Sequence, residues 1–154
     1  RFQKQNAIVI YVPDHGEECY EENRGFICRN HSADIDWPLA HYEFEIPFWI
    51  YCSPKYIKTH RDIYRQIRKA KDKRYMTDAL PHLLLYLAGI ETPTYHEEYN
   101  ILSPKYNEMR PRILKNSADY DKLRDAHNAK IAKEKEAEEA KEKAQKKTKK
   151  KKKQ

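Results

Sequence analysis

Two short apolar runs bracket a long polar stretch, and two amphipathic stretches follow them. Ala7–Val12 is continuously apolar and rich in β-branched residues. That is the pattern of a strand covered on both faces, as in the parallel sheets of α/β proteins. Pro13 ends it. From Asp14 to Glu45 the chain is polar with little periodicity, and a long loop, functional or disordered, is expected there. Ile46–Cys52 is a second apolar strand. Ser53 followed by Pro54 has the form of a helix N-cap with proline at the first helical position. Tyr56, Ile57, Ile63 and Ile67 then mark an amphipathic helical region to about Lys71. Thr77 is placed to cap a further helix over Asp78–Ala88, with Leu80, Leu83, Leu84 and Leu87 as its apolar stripe and Gly89 as its stop. Residues 91–117 are rich in Pro and Tyr and are expected to wrap over the domain. Ser117 is the expected cap of a last helix. That helix has almost no apolar residue larger than Ala after Ile131, so it is expected to be solvated and to fray into a disordered Lys run, Lys149–Lys153. The resulting division is 1–128 as a folded portion and 129–154 as a charged tail.

Charge sharpens that division. The 154 residues hold 31 Lys and Arg against 24 Asp and Glu, a net charge of +7. Residues 129–154 hold 12 Lys and 5 Glu, leaving 19 basic and 19 acidic groups in residues 1–128. The folded portion is neutral, which argues against a nucleic-acid-binding domain. The tail lacks interleaved aromatics, so base stacking is not expected. Attraction to anionic lipid, lipopolysaccharide phosphates or nucleic acid are the options for its charge, beside simple solubilisation. The longest apolar run, Leu83–Ile90, is far short of the ~20 residues of a membrane span. The chain begins with Arg1 almost directly before a strand, and a fragment of a longer protein is expected. Cys19, Cys28 and Cys52 cannot all pair with one another; a Cys19–Cys28 ring and three free thiols are both open.

The chemistry gathers at Asp14-His15-Gly16-Glu17, directly after the first strand. Ligands of open α/β sheets bind at the carboxyl ends of strands. A carboxylate and an imidazole form an ordinary zinc donor pair, and Pro13 and Gly16 suit a sharp turn that would bring both to one ion. A catalytic zinc needs about three protein ligands. His31, His41 or residues upstream of Arg1 are the candidates to complete it.

The run Ile10-Tyr11-Val12-Pro13-Asp14-His15-Gly16-Glu17-Glu18 resembles the end of the catalytic domain of phosphoethanolamine transferases, in the alkaline phosphatase/sulfatase superfamily. Glu45–Ile50, Ser53–Tyr56, Asp78–Ile90, Asn100–Pro104 and Asp119–Asp121 resemble later segments of that family in the same order, so the resemblance covers roughly residues 6–125. The double Glu17-Glu18 and the order of the later segments favour the transferases over sulfatases, and the resemblance is most to the type that modifies lipopolysaccharide-core heptose. The resemblance implies an alkaline-phosphatase-like α/β fold, a mostly parallel sheet flanked by helices, present here as its C-terminal portion. It implies zinc as cofactor, with Asp14 and His15 as ligands, Glu17 as the catalytic-site carboxylate that orients them, His31 as a further metal ligand and His41 as a substrate-binding group. It also implies transfer of phosphoethanolamine from phosphatidylethanolamine to lipid A or a lipopolysaccharide core sugar through a phospho-threonine. The threonine lies upstream of this chain, which should therefore not turn over alone. The implied location is the bacterial inner membrane, anchored by upstream helices, with the domain facing the periplasm.

His60, His82, His96 and His127 have no partner pattern and are expected to be solvated or at the core edge. Trp37 and Trp49 are expected to pack. A sulfatase or phosphodiesterase of the same superfamily, distinguished by its upstream nucleophile, and a non-catalytic polyanion-binding fragment are the alternatives.

Overall fold

The structure is a computed structural model that describes residues 2–23, 25, 27–29 and 34–151. It contains two compact units. One joins the residues up to His15 to Ile46–Pro111, and the other joins Gly16–Glu45 to the chain from Arg112 onward.

In the first unit, β1 (Ile8–Tyr11) pairs with β4 (Trp49–Cys52), with Ile8 opposite Cys52 and Tyr11 opposite Trp49. The pairing is antiparallel. Every described strand pair in the molecule is antiparallel and two-stranded, so the mostly parallel sheet that was expected is not seen among the described residues. The apolar runs had reported that strands would be covered, and composition carries no information on the direction of a partner strand. β1 is also only half-buried. Alternation along the pair divides it into two faces. Ile8, Ile10, Ile50 and Cys52 share one, and Ile50 packs on the core. Val9, Tyr11, Trp49 and Tyr51 share the other, where Trp49 is half-exposed and stacks on Tyr11 with ring centroids 5.3 Å apart.

Ser53 caps α2 (Pro54–Thr59) as its sequence predicts, its hydroxyl accepting from the Tyr56 amide at 3.1 Å. The helical region then breaks. His60 leaves helical geometry, with φ −129° and ψ 53°, and α3 (Arg61–Ala70) starts anew. The Thr59 hydroxyl lies 3.1 Å and 3.2 Å from the Lys55 and Tyr56 carbonyls, the back-bonding that bends helices. Thr77 does not cap a helix; it begins a 3-10 turn, Thr77–Ala79, that leads into α4 (Leu80–Ala88). Gly89 closes α4 in the left-handed region, φ 66°, where the lack of a Cβ is needed. Leu83 is fully buried with Ala70, Ile101 and Leu102, and Leu80 and Leu87 pack on that cluster. Leu84 is exposed, so the apolar stripe is narrower than its sequence implies. The Tyr-rich segment does wrap this core. Asn100 is fully buried, accepting from the Leu102 amide and donating to the Tyr95 hydroxyl at 3.0 Å.

In the second unit, the stretch expected to be loop holds β2 (Glu18–Cys19), β3 (Ile27–Cys28) and α1 (Trp37–Phe44). Asp36 caps α1 through the Leu39 amide at 3.0 Å, with Pro38 in the first turn. These are ordinary start signals, hidden because only one turn of apolar residues follows them. β5 (Ile113–Leu114) pairs with β6 (Ala118–Asp119) around the left-handed residues Lys115 and Asn116. α5 (Tyr120–Lys151) follows at once. Its cap is Asp119, whose carboxylate accepts from the Asp121 and Lys122 amides, and not Ser117. Ala40, Leu114 and Tyr120 form the core of this unit, with Trp37, Phe44 and Leu123 packed on it. From residue 132 to residue 143 α5 is exposed all round, as expected of a solvated helix. Of the Lys run expected to be disordered, Lys149–Lys151 are helical, and Lys152 and Lys153 lie outside the described residues. Among the described residues no helix is long and apolar enough to cross a membrane. Cys19 carries a free exposed thiol and Cys52 a free buried one.

Candidate metal centre

The Ser53 hydroxyl fixes the start of β1, accepting from the Ala7 amide at 3.1 Å and donating to the Gln5 carbonyl at 2.6 Å. Pairing with β4 then carries the chain to Tyr11, and Val12-Pro13 delivers it to Asp14 and His15. The Asp14 carboxylate accepts from the His15 amide at 3.1 Å. Its other oxygen, Oδ2, lies 3.6 Å from His15 Nε2. The Asp14 side chain is 90% exposed and that of His15 25% exposed.

That separation tests whether the pair suits a zinc ion. Oxygen and nitrogen donors on one tetrahedral zinc sit about 3.3 Å apart, given bonds of about 2.0–2.1 Å. The observed 3.6 Å is close to it, and a nearly free carboxylate needs only a small rotation to close the difference. The donor chemistry and spacing fit. They supply two ligands, and among the described residues no group of three His, Cys, Asp or Glu gathers at one point. His31 lies outside the described residues.

The other candidates belong to the second unit. Glu17 is exposed, whereas its neighbour Glu18 is buried to 1% exposure. Glu43 on α1 is buried as completely, 4.0 Å from Arg29 Nε. Sequence reasoning missed Glu18 and Glu43 as buried carboxylates. The signal available was the doubled glutamate, together with the four-residue spacing of Leu39 and Glu43, which places both on one helical face. His41 Nδ1 pairs with Glu45 at 2.9 Å, and its ring stacks on Trp37. Glu45 also accepts from the Tyr120 hydroxyl, and that bond and burial push the Tyr120 phenol up to about 12. Trp37 stacks on His127 from α5 as well, so α1 and α5 are locked through one aromatic cluster. Outside this centre, burial pushes the Cys52 thiol and the Tyr56 and Tyr75 phenols upward.

Gly16 is held by backbone. Its amide donates to the Glu43 carbonyl at 2.9 Å, and a Cβ on Gly16 would stand 2.1 Å from the Tyr42 carbonyl oxygen. The glycine therefore admits a close approach of α1, rather than the sharp turn for which its sequence position suggested it.

No family model matches the chain. It is 30% identical over 124 residues to the phosphoethanolamine transferase EptC of Escherichia coli K12, a match covering 77% of this chain and 20% of that protein. The same figures hold for EptC of the E. coli O18:K1:H7 strain. The chain thus spans about a fifth of the length of these curated relatives. Among solved structures it is similar to the C-terminal periplasmic domain of EptC from E. coli, with a TM-score of 0.59 and 28% identity over 77% of this chain and 33% of that one. The complex of that domain with zinc matches at the same TM-score and identity, over 32% of its length.

Proposed function

Because the chain matches the C-terminal part of phosphoethanolamine transferases in both sequence and fold, we propose that it supplies part of the zinc-dependent catalytic domain of such an enzyme. One observation carries the reading. Asp14 and His15 end the first strand with an oxygen and a nitrogen donor 3.6 Å apart, in a chain that aligns with a domain solved with zinc. In this reading residues 1–128 are the last portion of an alkaline-phosphatase-like domain, and residues 129–154 are a charged extension.

Asp14 would hold the ion through a carboxylate oxygen and His15 through a ring nitrogen. Zinc bound there supplies Lewis-acid stabilisation of charge on the reacting oxygens. The Gly16–Glu43 backbone bond fixes the chain that follows His15 covalently, so the ligands' own backbone is restrained. Glu17 orients the ligands, His31 adds a further ligand and His41 contacts substrate. The Glu45 carboxylate holds the His41 ring in one orientation for that contact. The reaction has two displacements. A threonine hydroxyl outside this chain bonds to the phosphorus of phosphatidylethanolamine as the bond to the diacylglycerol oxygen breaks. A hydroxyl or phosphate of lipid A or the lipopolysaccharide core then takes the phosphoethanolamine from threonine. The enzyme works at the periplasmic face of a bacterial inner membrane, anchored by helices that are not in this chain.

The test uses the full-length natural protein. Asp14→Ala and His15→Ala are expected to lower phosphoethanolamine transfer by about a hundredfold or more and to reduce bound zinc. Full activity and zinc content in either variant would overturn the reading.

A further inference from the structure

Charge is unevenly spread inside the neutral folded portion. Residues 54–72 hold seven Lys and Arg against Asp62 and Asp72, a net charge of +5, whereas the rest of residues 1–128 holds 12 basic and 17 acidic groups. All seven cations are exposed. α3 separates the densest part of this cluster from the core. Ile63, Ile67 and Ala70 pack with Leu83, Ile101 and Leu102, and Gln66 accepts from the Tyr86 hydroxyl of α4 at 2.9 Å. The opposite side of the helix carries Arg61, Arg65, Arg68 and Lys69, at the three- and four-residue spacings that share one face. Arg61 and Arg68 stand about 10 Å apart along the axis. Arg68 and Lys69 also lie in the last turn, at the negative end of the helix dipole, which favours them there. Asp62 pairs with Arg65 at 3.1 Å, but the two side chains are 84% and 67% exposed, and such a pair holds weakly. Among the described residues no ion pair engages Arg61, Arg68 or Lys69.

We propose that the outer face of α3, formed by Arg61, Arg65, Arg68 and Lys69, is a docking surface for the headgroups of an anionic phospholipid bilayer. The apolar side of the helix is committed to the core, so α3 rests on the headgroups and does not enter the acyl chains as a free amphipathic helix would. Three of the four cations are Arg, whose planar, weakly hydrated fork takes two phosphate oxygens at once. Each cation near an anionic bilayer is worth about fivefold in partition. Ile63 and Ile67 fix the helix on the core, so the four groups are presented together without the ordering of a loop. The choice of lipid over other polyanions rests on the proposed function, which places the domain beside a bilayer.

The experiment is vesicle co-sedimentation of the full chain, using phosphatidylcholine vesicles with and without about one-third phosphatidylglycerol. In one variant Arg61, Arg65, Arg68 and Lys69 are all changed to Gln, a good helix former, which leaves the core side of α3 intact. A charge-matched control changes Lys130, Lys133, Lys135 and Lys141 of α5 to Gln. A third variant changes the three Arg to Lys and keeps the charge. The native chain is expected to sediment with the anionic vesicles at low salt, at least tenfold more than the Gln variant of α3 and within about twofold of the α5 control. It is expected to be released as salt approaches 0.5 M, where the screening length falls to a few ångströms. The Lys variant is expected to bind within about fivefold of the native chain. Equal losses in the α3 variant and the α5 control, a loss in the Lys variant as deep as in the Gln variant, equal binding to neutral vesicles, or no binding at all would overturn the proposal. Tighter capture by double-stranded DNA than by the vesicles would assign the face to nucleic acid and overturn it too. His15→Ala separates the two readings, because it abolishes transfer in the full-length enzyme and leaves vesicle binding by the chain unchanged.

Discussion

The amide of Gly16 donates to the Glu43 carbonyl at 2.9 Å, and nothing larger than hydrogen fits on the Gly16 α-carbon, because the Tyr42 carbonyl would lie 2.1 Å from a Cβ. The obstructing atom is backbone and cannot rotate away. Gly16→Ala must therefore move α1 or the segment that follows His15, at a cost of about 1 to 3 kcal/mol, as for other overpacked sites. Because Gly16 is bonded to His15, zinc uptake at the proposed site should weaken as well. A thermal midpoint and zinc affinity unchanged by Gly16→Ala would contradict this account.

Ser53 is fully buried and ties β1 to the helix that follows β4. Its hydroxyl meets Ala7, Gln5 and Tyr56, and its own amide donates to the Ala7 carbonyl at 2.9 Å. Ser53→Ala leaves buried backbone groups unsatisfied and removes a helix cap, so a loss of about 1 to 3 kcal/mol is expected in urea unfolding. A loss below a few tenths would mean that water replaces the hydroxyl.

Tyr120 makes the second unit sensitive to alkali. Burial and the Glu45 bond raise its phenol to about 12, against about 10 in an unfolded chain. Below about pH 10 both states keep the proton and the stabilisation is complete. Between about pH 10 and about 12 the unfolded chain releases it first, so stability falls as pH rises. Tyr120→Phe should start less stable and lose stability less steeply over that window. Parallel stability–pH curves for the two proteins would rule Tyr120 out as the cause.

Arg112 and Asp121 form a two-pronged pair, with contacts of 2.6 and 3.3 Å, and the guanidinium lies 4.3 Å from the centre of the Tyr120 ring. Both side chains are less than a fifth exposed. Lysine keeps the charge but loses the fork and the stacking, so Arg112→Lys should cost about 1 to 2 kcal/mol. A double-mutant cycle with Asp121→Asn should show most of that as coupling. Additive effects would mean that the pair contributes little.

The sequence alone determined the features that depend on near neighbours. Ser53-Pro54 opened a helix and Gly89 closed one, because capping uses the atoms of a single turn. The closeness of the Asp14 carboxylate to the His15 ring was legible because adjacent residues need little else to meet, and the charge of the tail was a matter of counting. Residues far apart in the chain decided the rest. The strand direction of β1 and β4 depends on a pairing across some forty residues, which an apolar run does not encode. The burial of Glu18 and Glu43 comes only with folding, and Gly16 read as a turn residue until α1 came to rest against it. In each of these cases the deciding atom belongs to a distant part of the chain, and only tertiary structure brings it within reach.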